Sequence, residues 1–123
     1  MPRPMKRLID FAKSTTFRIS GLGIEVMCND IGKGDYGFAE QAVRRASNEG
    51  WRLPTSEECF ALWGLKQLGC GNIKDYYYWT TDEKELARYG DSKGYAFIFK
   101  MDTPFVGRRS VKDYYYVRLV RNI

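Results

Sequence analysis

The nine residues Gly50–Glu58, with the sequence GWRLPTSEE, predict the end of one helix and the start of another. Gly50 follows an amphipathic run and can adopt the left-handed conformation that ends a helix. Pro54 favours an extended residue before it, so a new helix can begin only after it. Thr55 is suited to N-cap that helix, and Glu58, three residues later, completes a capping box.

The residues between these two helix signals have the alternation of an extended segment. Trp51 and Leu53 flank Arg52, so an extended backbone would bury the two apolar side chains on one side and direct Arg52 to the other. The stretch is therefore interpreted as a structural crossing through the core rather than as a ligand site.

Helical periodicity surrounds this crossing on both sides. From about Tyr36 to Glu49 the apolar residues share one face, which predicts an amphipathic first helix. The second helix, from Thr55 to about Leu68, has Cys59, Phe60, Leu62 and Trp63 spread over a wider arc. This distribution predicts deeper burial of the second helix.

Alternating and aromatic segments predict strands before and after the helices. Residues 29–35 are polar and glycine-rich and are interpreted as a plain turn, and residues 101–112 as a turn-forming excursion between strands. The tyrosine triplets at 76–78 and 114–116 lie in different contexts and are not interpreted as an internal repeat. The predicted strands are Phe17–Ile19, Ile24–Met27, Tyr76–Thr81, Gly94–Lys100 and Tyr114–Arg121.

Composition narrows the possible functions. A chain of 123 residues with 44% hydrophobic content fits one domain, and a net charge of +5 is a mild bias toward acidic partners. Histidine is absent, which removes the commonest general base and zinc ligand. The three cysteines show no CxxC spacing. We therefore expect no enzyme activity, no metal site and no cofactor.

The first sixteen residues differ from the rest of the chain. Residues 1–16 mix Pro, Lys, Arg and Ser with a short apolar patch, and are interpreted as a basic N-terminal arm outside a domain that spans 17–123. The arm could join a protein partner or a second copy, although simple packing on its own domain is the plainer interpretation. The basic start lacks the apolar run of a signal peptide, and we expect no membrane span.

Three motifs in order carry a family resemblance. Gly50–Thr55 with Glu58, then Tyr78–Thr81, then Tyr116–Arg121 resemble the DUF1566 domains, also called Lcl C-terminal or fibrobacter succinogenes major paralogous domains. These domains are similar to the C-type lectin-like fold. The resemblance implies an α+β fold with two helices packed on a small twisted, mainly antiparallel sheet with long loops. It also implies structural roles for the motif arginines Arg52, Arg118 and Arg121, paired with carboxylates such as Glu57 or with backbone carbonyls.

The resemblance also implies a ligand surface on two loops, residues 81–93 and 101–112. The basic side chains of these loops could hold a phosphate or an acidic protein surface. Separately from the resemblance, tyrosine rings could form a stacking platform for sugars or bases, and the candidates are Tyr76, Tyr77, Tyr78, Tyr95, Tyr114, Tyr115 and Tyr116. A solvated loop is the plainer interpretation of the charges, and core packing that of most tyrosines. Calcium-dependent sugar binding is not expected, since the chain has no Glu-Pro-Asn motif. The candidate ligand-binding residues are Arg88, Tyr89, Lys93, Arg108, Arg109, Lys112 and Tyr114.

These observations favour a non-catalytic recognition or assembly module that presents loops to a protein or glycan partner. Such a module would suit a phage particle or a bacterial surface assembly, with a location in a phage virion or the cytoplasm. The alternative is an intracellular nucleic-acid-binding or inhibitor protein that uses the basic and tyrosine-rich surface. A steep fall of affinity with salt would distinguish the alternative.

Overall fold

Two β-sheets and two α-helices form the part of the chain that the structure, a computed structural model, describes: residues 16–81 and 94–123. The three-stranded sheet has the order β1-β2-β8, and the five-stranded sheet has the order β3-β7-β4-β5-β6. The predicted α+β class is confirmed. The strands are β1 (Thr16–Ile19), β2 (Ile24–Met27), β3 (Gly32–Gly34), β4 (Tyr77–Trp79), β5 (Tyr95–Lys100), β6 (Phe105–Ser110), β7 (Tyr115–Val117) and β8 (Val120–Asn122), and the helices are α1 (Tyr36–Ala46) and α2 (Ser56–Gln67).

The Gly50–Glu58 stretch has the predicted local structure. Gly50 lies in the left-handed region at φ 83°, after a short 3₁₀ turn that follows α1. The Thr55 hydroxyl accepts the Glu58 N–H at 3.2 Å, and the Glu58 carboxylate accepts the Thr55 N–H at 2.9 Å. Trp51 and Leu53 are buried at 5% and 6% exposure. The capping box and the buried crossing are therefore confirmed.

Arg52 and Arg121 have the structural roles expected of them. Arg52 donates two hydrogen bonds of 2.8 Å to Glu58, the neighbour of the suggested Glu57. Burial alone would raise the pKa of Glu58, but the Arg52 and backbone donors leave it below its ordinary value. Arg121 pairs with Glu25 at 2.8 Å. The hydroxyl of Thr16 and the Arg121 guanidinium lower the pKa of Glu25.

Arg118 is the most buried charge in the described chain, at 1% exposure. Its Nε donates to Asp30 Oδ1 at 2.8 Å, so the two charges neutralise each other in the interior. The other oxygen of Asp30 accepts from Lys74 Nζ at 2.9 Å and from the Tyr78 hydroxyl at 3.1 Å. The remaining guanidinium donors reach the carbonyls of Met27 at 2.9 Å, Gly71 at 2.8 Å and Asn72 at 2.6 Å.

Three segments differ from the sequence-based predictions. Part of the predicted turn at 29–35 is strand β3, where Gly32 and Gly34 leave room for the Phe38 ring. The predicted excursion at 101–112 contains β6, which is held by pairing with β5 along its full length even though its Gly-Arg-Arg core is a weak strand former. The predicted last strand is two strands, since the chain leaves β7 and enters β8 of the other sheet.

The second helix is buried on one side only. Cys59 and Leu62 are buried, whereas Phe60 is 46% exposed, so the expected burial of Phe60 is wrong. The Phe60 ring contacts the Phe99 ring edge to face, with 4.9 Å between centroids, and this contact covers only part of the Phe60 ring.

The core consists of two clusters, one on each face of the five-stranded sheet. The face that carries Tyr78 and Phe99 packs against α2 and the three-stranded sheet. The face that carries Trp79 and Ile98 packs against α1 and the Gly50–Glu58 crossing. Each face is covered because successive residues of β4 point to opposite sides of the sheet.

Candidate functional site

The two tyrosine triplets, which do not form a sequence repeat, are neighbours in space. β4 and β7 are parallel and adjacent, and Tyr78 lies opposite Tyr116 in the register. Because side chains alternate across a sheet, Tyr78 and Tyr116 share one face, and Tyr77 and Tyr115 share the other. The N-terminal ends of both strands therefore bring tyrosines together at one end of the sheet.

Ring contacts pair the tyrosines on each face. Tyr76 stacks on Tyr116 with 5.7 Å between centroids and 24° between planes, and Tyr77 lies 5.4 Å from Tyr115. Trp79 meets Tyr115 edge to face at 5.0 Å. Such pairs stabilise one ring orientation. The rings are thus held in place by the strands that carry them.

A cleft of about 380 Å³ opens among these rings. Its volume lies in the range of small-molecule sites. Tyr76 and Tyr114 are 59% and 63% exposed, so both offer ring surface to a ligand. We name it the tyrosine cleft, and its lining residues are Lys33, Asp75, Tyr76, Tyr77, Asp102, Tyr114, Tyr115 and Tyr116.

Cationic side chains of the protein lie against two of the rings. On one face, the Nζ atoms of Lys33 and Lys74 are 5.5 and 5.2 Å from the Tyr116 centroid. On the other face, Lys100 Nζ lies 5.1 Å and the Arg109 guanidinium 5.9 Å from the Tyr77 centroid. Both rings therefore already have cation–π partners.

Carboxylates stand beside the cleft as well. Asp75 pairs with Lys66 at 2.7 Å but keeps 67% of its side chain exposed. One oxygen of Asp102 accepts the Thr103 N–H at 2.8 Å. The Tyr115 hydroxyl donates to Asp113 at 3.0 Å, and burial, followed by this carboxylate, raises the pKa of Tyr115. The cleft thus combines neutral phenols with groups of both charges.

The four candidate residues that the structure describes, Arg108, Arg109, Lys112 and Tyr114, do not lie together in one site. Arg88, Tyr89 and Lys93 lie outside the described residues. Tyr114 lines the cleft, and Arg109 approaches it through the Tyr77 ring. The other two lie elsewhere on the surface. Arg108 precedes Arg109 on β6 and points to the other face of the sheet, and Lys112 is exposed in the turn after β6.

Sequence reasoning missed Lys33, Asp75 and Asp102 as cleft residues. Nothing local distinguishes them from solvated charges, because they reach the cleft only through the order of the strands. The usable signal was the pair of tyrosine triplets, each at the start of a strand.

A second cavity, of about 550 Å³, lies between α1 and the crossing at Arg52 and Leu53. Its wall includes Tyr36, Glu40 and Arg44, so it has one ring where the tyrosine cleft has five. The tyrosine cleft is therefore the better candidate for a ligand site.

The cysteines have no shared site. Cys59 is fully buried, and this burial raises the pKa of its thiol to about 12. Cys28 and Cys70 are also free thiols. Within residues 16–81 and 94–123, no three histidine, cysteine or acidic side chains come together in a way that could hold a metal ion. No helix in the same part of the chain is long and apolar enough to cross a membrane.

Comparison with known proteins leaves the resemblance a prediction. No model of a known protein family and no curated protein sequence matches the chain. The DUF1566 resemblance therefore rests on the three motifs quoted above. The tyrosine cleft rests on its geometry alone.

Proposed function

We propose that the protein is a non-catalytic recognition or assembly module that binds a protein or glycan partner. The observation that carries this proposal is the tyrosine cleft, in which strand ends of one sheet present five tyrosine rings. The motif resemblance adds the proposal of a C-type lectin-like scaffold, a fold that displays ligand surfaces on many different proteins. The two arguments meet only at Asp102, which lies in one of the loops implied by the resemblance and also lines the cleft.

The cleft is suited to recognition because ring contacts order four of its five rings before a ligand arrives. A tyrosine has only two side-chain torsions, and here each pair of rings restricts them further. A ligand then binds without the entropy cost of ordering flexible side chains. Phenol hydroxyls also donate and accept hydrogen bonds, so the same surface can contact apolar and polar groups.

A binding comparison among three proteins tests this proposal. Tyr76→Ala with Tyr114→Ala removes the two most exposed rings of the cleft, while Tyr95→Ala removes a ring of equal exposure, 59%, from β5 outside the cleft. An array of peptides and oligosaccharides identifies a partner. We expect this partner to bind the wild type and Tyr95→Ala with equal affinity and not to bind the double variant. Equal binding by all three proteins would contradict the proposal.

The proposed setting is a phage particle or a bacterial surface assembly, and the proposed joining element is the basic arm at residues 1–16. Its first fifteen residues lie outside the described part of the chain, so the proposal rests on the sequence of the arm. Size measurement by light scattering should give a larger species for the full chain than for a chain that starts at Thr16. The same monomer mass for both would remove the arm as a joining element.

A second candidate function, nucleic-acid binding or inhibition inside the cell, is favoured by one observation. Four cations lie against the Tyr77 and Tyr116 rings, and single-stranded nucleic acids bind where cations and aromatic faces alternate. If this candidate is right, oligonucleotide affinity should fall steeply between about 50 and about 200 mM salt. Absence of oligonucleotide binding at low salt would exclude it.

A further inference from the structure

We infer that the ligand of the tyrosine cleft is an uncharged oligosaccharide, held by ring stacking and by hydrogen bonds to its hydroxyls. This inference rests on the proposed recognition function and names the ligand class of the same site. It follows from the exposed rings, from the polar groups beside them and from the balance of charge at the cleft.

The exposed rings supply the stacking surface. Tyr76 is covered on one side by Tyr116, and its 59% exposure shows that much of the ring still faces solvent. Tyr114 is 63% exposed and has no ring partner among the described residues. A sugar ring presents flat patches of C–H groups that pack on aromatic faces of this kind.

The polar groups define which chemistry can satisfy the cleft. The carboxylates of Asp75 and Asp102 only accept hydrogen bonds, the Lys33 ammonium only donates them, and the phenols do both. A hydroxyl group can serve all three kinds of partner, because it has one donor and two acceptor sites. A ligand with several neighbouring hydroxyls therefore fits the whole set.

The charges disfavour the two charged alternatives. A cationic ligand would meet Lys33 and Lys74 at the Tyr116 ring, and Lys100 and Arg109 at the Tyr77 ring. The cleft wall itself has two carboxylates, Asp75 and Asp102, and one cation, Lys33, so an extended polyphosphate would meet more negative than positive groups there. An uncharged ligand avoids both repulsions, and this favours a neutral sugar over a nucleic acid.

The test uses the full-length chain against a panel of neutral oligosaccharides, sulfated oligosaccharides and single-stranded oligonucleotides, followed by calorimetric titration of each probe that binds. We expect binding to a neutral oligosaccharide that changes little between about 50 and about 200 mM salt. Tyr114→Ala should weaken it by about tenfold, and Asp102→Asn should weaken it less. Tyr95→Ala should leave it unchanged, and thermal unfolding of each variant checks that the fold is intact.

The outcomes separate this inference from the proposed function. Binding only to anionic probes, with a loss in Tyr114→Ala, would overturn the neutral sugar while leaving the cleft a recognition site. Neutral sugar binding that survives both Tyr114→Ala and Tyr76→Ala would also overturn the inference, since the site would lie elsewhere. Failure of every probe, together with failure of the peptide array, would count against the recognition function itself.

Discussion

Replacing Arg118 with alanine should be among the most destabilising single changes in this chain. The guanidinium is 1% exposed and makes hydrogen bonds to Asp30 and to three backbone carbonyls. Its removal leaves the Asp30 carboxylate inside the protein with two remaining donors, Lys74 and the Tyr78 hydroxyl. The three carbonyls lose the hydrogen bonds from Arg118 at the same time.

The size of the effect follows from these contacts. Breaking a buried ion pair by removing one partner costs about 3–5 kcal/mol. The remaining Lys74 contact with Asp30 places the expected cost toward the lower end of that range, while the hydrogen bonds lost by the three carbonyls add to it. We therefore expect Arg118→Ala to lower the free energy of unfolding by about 3–5 kcal/mol, a large part of the 5–15 kcal/mol typical of a domain.

Urea denaturation followed by tryptophan fluorescence measures this loss. Lys112→Ala is the matched control, because it removes an exposed cation and should change the free energy by no more than about 0.5 kcal/mol. Arg118→Lys keeps the charge but cannot reproduce the fork of donors, so it should fall between the two. Asp30→Ala combined with Arg118→Ala should cost less than the sum of the single changes, by about 1 kcal/mol or more. A loss below about 1 kcal/mol for Arg118→Ala, or strict additivity with Asp30→Ala, would refute the reasoning.

Other features give separate measurable outcomes. Gly34→Ala would place a Cβ 2.6 Å from the Phe38 ring and should lower the free energy of unfolding, measured by urea denaturation, by about 1–3 kcal/mol. Gly21→Ala, with open space around it, should be nearly neutral, and equal effects of the two changes would contradict the packing. The pKa of Glu58 is lowered in the fold, so the unfolded chain binds its proton first and stability should fall as the pH drops below about 4.5. Glu58→Gln keeps a cap acceptor and should flatten that slope, and an unchanged slope would argue against the assignment. With a thiol reagent at neutral pH, the exposed Cys70 should react in the folded protein and Cys59, with a pKa raised to about 12, only after unfolding; fast labelling of Cys59 would show that its site opens.

Local chemistry allowed the helices to be predicted from the sequence. The helix end and the helix start are set by Gly50, Pro54, Thr55 and Glu58. Each of these residues affects only the backbone within about one helical turn, so its role can be predicted without knowing the rest of the fold. The burial of Trp51 and Leu53 followed from the same short stretch, through simple alternation.

Pairing between distant strands could not be predicted in this way. The parallel contact of β4 with β7 joins Tyr78 to Tyr116, and nothing near either tyrosine specifies the other. The tyrosine cleft depends on that contact, so the sequence supplied its rings without showing that they meet. β6 was missed because its stability comes from its neighbour β5 and not from the strand propensity of its own residues.

The passage of the chain from β7 in one sheet to β8 in the other has a consequence for folding. Val117 belongs to the core cluster beside α1, and Val120, three residues later, to the cluster beside α2. Unfolding of one cluster would displace residues of the other, because the two share this short segment. We therefore expect heat to unfold the described fold in a single cooperative transition. Arg118 lies between β7 and β8 and donates a hydrogen bond to Asp30, 88 residues away in the sequence. A large loop must therefore close before the interior is complete. Folding should then take on the order of milliseconds to seconds, because pairing of distant segments slows it.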